Sequence, residues 1–132
     1  MVDAPVALEW VLDEPDSPWA RALPESTRSV APALLWTECA NGLWRLARVA
    51  PALDAVRAFG IISAVPLETV ETGVRVRARA LRLGCDLDHP VYDCLYLAVA
   101  LDRGAALATA DRRFLRVLRR SSALPPERLL TP

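Results

Sequence analysis

Short β-prone runs alternate along the chain with longer segments of helical period, and this alternation is the feature that most narrows the fold. Strands that are each followed by a helix pair through crossover connections, which gives a parallel sheet with helices packed on it. At 132 residues and 53% hydrophobic content, the chain holds enough apolar surface for one real core, so the reading is a single α/β domain over residues 1–132. The 11 prolines are spread between segments as punctuation, and nothing repeats internally.

Local signals set the expected elements. Met1 to Ala4 is a scrap of strand, and Pro5 to Leu12 a short helix, because proline suits a first turn and Val6, Trp10 and Val11 share a face. Asp3 therefore sits where a strand hands over to a helix. Ser17 is placed as the cap of a second helix with Pro18 in its first turn, and Ser29 to Ala31 as a brief strand. After Pro32, Leu35, Cys39, Leu43 and Leu46 recur at helical spacing with Glu38 among them; Pro51 ends that helix and opens another to Phe59. Ile61 to Leu67, β-branched and preceded by Gly60, reads as a strand. Val74 to Leu83 alternates like a strand, yet its length and Gly84 as a C-cap favour a helix. Asp88, His89 and Pro90 start a further helix that Gly104 stops. Ala106 to Ala110 is a strand ending at Asp111, Arg112 to Arg120 a basic helix with Leu115 and Leu118 inward, and Leu129 to Thr131 a last edge strand.

Charge excludes several function classes. Lys+Arg 16 balances Asp+Glu 16, so the chain is neither a disordered polyelectrolyte nor a basic nucleic-acid coat, and a polyanion would be held by a local patch. All the basic residues are arginine, which excludes a Walker-type phosphate loop, a Schiff-base enzyme and a phospho-receiver site. Cys39, Cys85 and Cys94 show no C-x-x-C spacing and His89 is the sole histidine, so a closed zinc site is not expected; the cysteines read as small apolar residues in a reducing cytosol. No leader pattern is present and no apolar stretch approaches the roughly 20 residues that span a bilayer, so the expectation is a soluble, cytoplasmic protein with no membrane partner.

The chemistry-bearing residues are acids. Asp3 and Asp111 fall at the carboxyl ends of predicted strands, where ligands gather in open α/β sheets. Glu38 and Asp93 lie in apolar helical text, LLWTECANGLW and VYDCLYLAVA, where a carboxylate is costly without a partner. Oxygen donors without thiolate or histidine spacing suit Mg²⁺ or Mn²⁺, which polarise phosphoryl oxygens and acidify a bound water. Asp13, Glu14, Asp86, Asp88 and Asp102 are read instead as turn, cap and surface acids. Arg75, Arg79 and Arg82 are read as a solvated helix face, the four tryptophans as core or interface anchors, and His89 as a helix-start residue.

Three segments, VDAPVALEWVLDEP (Val2 to Pro15), VAPALLWTECANGLWRL (Val30 to Leu46) and HPVYDCLYLAVALDRGAALATADRRF (His89 to Phe114), resemble the PIN-domain ribonucleases, in particular the VapC-type toxins of prokaryotic toxin–antitoxin pairs. The resemblance covers nearly the whole chain in the family's order. It implies a three-layer α/β domain with a central, mainly parallel sheet flanked by helices. It further implies that Asp3, Glu38, Asp93 and Asp111 form a catalytic acidic quartet holding Mg²⁺ or Mn²⁺ for endonucleolytic cleavage of RNA. By the same resemblance Thr109 steadies the site through its hydroxyl and Asn41 orients Glu38. Arg112 and Arg113, directly after a metal-site acid, are the RNA-contact candidates. The implied protein partners are a homodimer mate and a small antitoxin that covers the active-site groove.

Two departures bear on catalytic rate more than on fold. Pro5 stands where many relatives have serine, which removes a hydroxyl and a backbone N–H beside the site. Only Met1 and Val2 precede Asp3, so the first strand is very short or frayed. An alternative reading therefore keeps the fold as a catalytically weak or inactive interaction module.

Overall fold

A computed structural model of the chain describes residues 1–26 and 28–132. In chain order the elements are α1 (Ala4–Leu8), α2 (Ser17–Ser26), β1 (Val30–Pro32), α3 (Leu34–Val49), α4 (Ala55–Ala64), β2 (Glu68–Val70), α5 (Val74–Leu87), α6 (Val91–Arg103), β3 (Leu107–Ala108), α7 (Arg112–Arg120) and β4 (Leu129–Leu130). A single 3-10 turn, Pro126–Arg128, leads into β4.

The strands form two parallel pairs. In one, Val30, Ala31 and Pro32 of β1 face Glu68, Thr69 and Val70 of β2; in the other, Leu107 and Ala108 of β3 face Leu129 and Leu130 of β4. The segment Met1 to Asp3 joins them. Val2 bridges Ala108 in parallel, Val2 N donates to Val30 O at 2.9 Å, and Ala108 N donates to Met1 O at 2.7 Å. Backbone hydrogen bonds thus link the two parallel pairs through Met1–Asp3, in the order β2, β1, Met1–Asp3, β3, β4. The short first segment is held on both sides and is not frayed, because Met1 N also donates to Ala106 O.

The sheet is parallel for the reason the alternation gives: each strand hands over to a helix that must cross back before the next strand. Helix α6 is the most enclosed, with Cys94, Tyr96, Leu97, Ala98, Val99 and Ala100 all buried, and it packs on α5, β1 and β3. Helix α1 meets α3 closely. A Cβ on Gly42 of α3 would stand 2.7 Å from Leu8 Cδ1, so glycine there lets the helix that follows Asp3 lie against the helix that carries Glu38.

Several local expectations are corrected. Ile61 to Leu67 is not a strand: Ile61–Ala64 finishes α4, and β2 begins only at Glu68. Asp54 caps α4 by accepting from Arg57 N at 3.0 Å, and Ala58 and Ile62 bury at helical spacing, which outweighs β-branched propensity. The helix expected over Pro51 to Phe59 accordingly starts at Ala55. Gly84 is not a C-cap, since α5 continues to Leu87 and the left-handed cap is Asp88, with φ 47°. The second helix starts at Ser17 as expected, with Ser17 as its first residue and not its cap: its Oγ accepts from Glu14 N at 2.9 Å and donates to Glu9 Oε2 at 2.5 Å. Cys39 and Cys94 are buried as expected, whereas Cys85 is exposed. Among the tryptophans, Trp10 is in the core and donates to Ala20 O, while Trp44 is 56% exposed.

Candidate active site

Asp3 follows directly on the central strand segment, at its carboxyl end, and caps α1. Its Oδ1 accepts from Val6 N at 3.0 Å, and the residue is buried. Pro5 occupies the second helical position, so its missing N–H is not one that the cap uses. The serine-to-proline departure therefore leaves the cap of Asp3 intact.

Asp111 stands beyond β3, next along the sheet, and caps α7. Its Oδ1 accepts from Arg113 N at 2.6 Å and Phe114 N at 3.0 Å. Thr109 links the two acids: fully buried, it accepts from Asp111 N at 3.1 Å, and its hydroxyl acts as a hydrogen-bond donor on the Asp3 carboxyl.

Glu38 and Asp93 come from the two helices that flank this end. Tyr96, buried on α6, donates its hydroxyl to Glu38 Oε2 across to α3. Asp93 sits in the first turn of α6, where the helix dipole favours a carboxylate, and His89 Nε2 lies 2.9 Å from its Oδ2. Asn41 is exposed on α3, and among the described residues the hydrogen bond to Glu38 comes from Tyr96, not from Asn41. The expected orienting role for Asn41 is corrected on that point.

Asp93 and Asp111 act on Asp3, and Asp93 acts on Glu38, through their charges. Burial, followed by repulsion from Asp93 and Asp111, pushes the Asp3 carboxyl up to about 7 against the pull of Thr109 and the Val6 N–H. Burial raises Glu38, with Asp93 adding to the rise and the Tyr96 hydroxyl opposing it. Burial also raises Asp93, aided by Asp111 and opposed by His89 and Arg113. No three His, Cys, Asp or Glu side chains among the described residues close into a ready metal cage. The arrangement is an open group of oxygen donors, which fits a hard cation that keeps several waters better than a fully enclosed ion.

Arg112 and Arg113 are exposed on the first turn of α7, and the Arg113 charge reaches Asp93. Arg112 also lines a groove of about 500 Å³ of mixed charge, with Arg45 and the acids Glu9, Glu14 and Asp16. Arg75 pairs with Asp102 at 2.8 Å on the surface, in keeping with a solvated α5 face. The residues that sequence reasoning passed over are Tyr96 and His89. Tyr96 lies inside the apolar helical text VYDCLYLAVA without a role given to it, and the one local signal for His89 is its i, i+4 spacing to Asp93.

The model of the PIN domain family matches residues 1–119. The chain belongs to the PIN-domain family. This PIN domain is also similar to the crystal structure of PAE2754 from Pyrobaculum aerophilum, with a TM-score of 0.69 and 20% identity over 94% of this chain and 85% of that one. That likeness shows the fold. No curated protein matches the chain at a significant level. PIN domains are generally a nuclease fold and typically depend on divalent metal ions, which supports a ribonuclease-like hydrolase here. No helix among the described residues is long and apolar enough to cross a membrane.

Proposed function

We propose that this PIN domain is an endoribonuclease dependent on Mg²⁺ or Mn²⁺ that hydrolyses RNA phosphodiesters and acts as the toxin of a toxin–antitoxin pair in the cytoplasm. The observation that supports this reading is the buried Asp3, whose carboxyl feels the charges of Asp93 and Asp111, with Glu38 in turn feeling Asp93. Carboxylates grouped at such a cost call for a cation, and an all-oxygen donor set suits a hard one.

Asp3, Glu38, Asp93 and Asp111 would hold the ion. When bound, it supplies polarisation of the phosphodiester and a more acidic water. The chain's own contribution is orientation. Thr109 acts on Asp3, Tyr96 donates to Glu38, and the α7 amides fix Asp111. Arg112 and Arg113 offer exposed positive charge on the first turn of α7 for the RNA phosphates.

Exposed apolar residues support protein partners. Trp44, Val56 and Ile61 on α3 and α4 suit a small antitoxin, and Val74, Leu81, Val91 and Tyr92 on α5 and α6 suit a second copy of the chain. The inactive-module alternative rested on Pro5 and the short first strand, and neither disturbs the placement of Asp3.

The deciding experiment is cleavage of a mixed tRNA, rRNA and mRNA pool with Mn²⁺ or Mg²⁺, comparing the native chain with Asp93→Asn at equal folded concentration. Discrete cuts that need the metal and vanish in the variant are expected. An uncut pool, with the native protein folded and free of antitoxin, overturns the nuclease reading in favour of the interaction module.

A further inference from the structure

His89 is the chain's one histidine, and its side chain is 1% exposed. Three neighbours fix its backbone. Asp88 before it is in the left-handed conformation, Pro90 after it is extended, and His89 N donates to Gly84 O at 3.1 Å. Glycine at 84 is what permits this approach, because a Cβ there would stand 3.0 Å from His89 O. The imidazole then stacks on Phe114 of α7, with ring centroids 4.6 Å apart and planes 13° from parallel. The ring is thus held jointly by the end of α5, the start of α6 and the start of α7.

So much local structure fixes a ring whose polar reach is confined to one side chain. Nδ1 has no partner among the described residues, and the one polar contact of the ring is Nε2 with Asp93 Oδ2 at 2.9 Å. Buried polar groups without good partners are selected against unless they act in something else. The one functional group within reach is Asp93, whose other oxygen is left free by this contact.

We propose that His89 is a positioning residue: its fixed Nε2 anchors Oδ2 of Asp93 so that the carboxylate presents its second oxygen to a divalent cation. The inference rests on the metal-dependent reading above and adds a residue outside the acidic quartet to it. Phe114 sets the plane of the ring, and the Asp111 cap sets the position of Phe114, so the anchor also ties Asp93 to Asp111. Groups that orient metal ligands from behind typically change metal affinity or activity by about 10- to 100-fold when removed.

The test uses the full chain without RNA. Mn²⁺ binding is measured from the electron paramagnetic resonance signal of the free ion, for wild type, His89→Phe and His89→Gln, with folding followed by circular dichroism. Phenylalanine keeps the stack and loses the nitrogen; glutamine keeps a donor at comparable reach. The expected result is Mn²⁺ affinity about 10- to 100-fold weaker in His89→Phe and largely restored in His89→Gln. Cleavage assays should show the same order in kcat with KM for RNA unchanged. A folded His89→Phe that binds Mn²⁺ as tightly as wild type overturns the proposal, as does a His89→Gln no better than His89→Phe.

A second measurement does not depend on the variants folding. With one histidine in the chain, the imidazole ¹⁵N signals are unambiguous, and added Mg²⁺ should move Nε2. Unmoved imidazole signals in a protein that demonstrably binds Mg²⁺ overturn the positioning role alone. A wild-type chain that takes up neither ion overturns the metal-dependent reading and the anchor with it.

Discussion

Tyr96 on α6 donates its hydroxyl to Glu38 on α3, joining two helices through a contact between residues 58 apart in sequence. Burial and the adjoining Glu38 charge keep that phenol protonated far above neutral pH, so it is a donor at every working pH. Tyr96→Phe removes the oxygen and little else. The expected cost is about 1–2 kcal/mol of stability, from a part-buried carboxylate that loses its partner. Mn²⁺ affinity should fall by about 10-fold or more, because Glu38 would be free to rotate. Chemical denaturation and Mn²⁺ titration of the same variant check both; unchanged metal binding would reduce the contact to a packing detail.

Asp111 combines two tasks that substitution can separate. Its Oδ1 caps α7 through Arg113 N and Phe114 N, and the same carboxylate belongs to the acidic group. Asparagine is as good a cap as aspartate but carries no charge. Asp111→Asn is therefore expected to melt within about 0.5 kcal/mol of wild type while losing RNA cleavage, whereas Asp111→Ala loses cleavage and about 1 kcal/mol of stability as well. Equal destabilisation by both variants would mean that charge, not capping, holds the start of α7.

The sequence made the alternation, the central acids and the basic last helix legible because each has a local signal. A short apolar run ends at Asp111, an apolar helix carries Asp93, and Leu115 and Leu118 mark an inward face. Ile61 to Leu67 was misread because β-branched residues speak for a strand until the Asp54 cap and the buried pair Ala58 and Ile62 are weighed with them. Gly84 looked like a helix end, although it is conspicuous for a different reason, the approach of the His89 carbonyl. The two residues that hold Glu38 and Asp93 were invisible as such. Tyr96 acquires its role only when α3 and α6 meet, which no spacing along one element encodes, whereas His89 stands at i, i+4 from Asp93 and needs Phe114 of α7 to set its ring.

Two glycines in helices give opposite expectations. Gly60 is exposed inside α4 with open space where a Cβ would go, so Gly60→Ala should stabilise by about 0.5–1 kcal/mol through helix propensity. Gly84 is buried in α5, where a Cβ would meet His89 O at 3.0 Å and Val91 Cγ2 at 3.2 Å. Gly84→Ala must shift the backbone at His89, and overpacking of that kind costs about 1–3 kcal/mol, enough to cancel or reverse the propensity gain. Melting both variants beside wild type reads the difference directly. A stabilised Gly84→Ala would show that the turn from α5 to α6 gives way freely.

Asp3 gives the chain a pH dependence whose sign is fixed by its environment. Its carboxyl titrates near 3.8 when unfolded and is pushed to about 7 in the fold, first by burial and then by Asp93 and Asp111. Below the lower value both states are protonated and folding carries no penalty. Between the two, the unfolded chain releases a proton that the folded chain keeps, so stability falls as pH rises and levels off once the folded carboxyl has ionised. The loss amounts to at most about 4 kcal/mol, and Glu38 and Asp93, also raised, act in the same direction. With EDTA present, the thermal midpoint should therefore drop between about pH 4 and pH 7 and level off above it, and Asp3→Asn should flatten much of that slope and melt higher than wild type at the alkaline end. Mn²⁺ binds the ionised carboxylate of the folded chain only, so it should raise the wild-type midpoint more at about pH 8 than at about pH 5.5 and do little for Asp3→Asn. Parallel pH profiles for the two proteins would show that Asp3 stays ionised throughout and that the buried acid is already neutralised by another group.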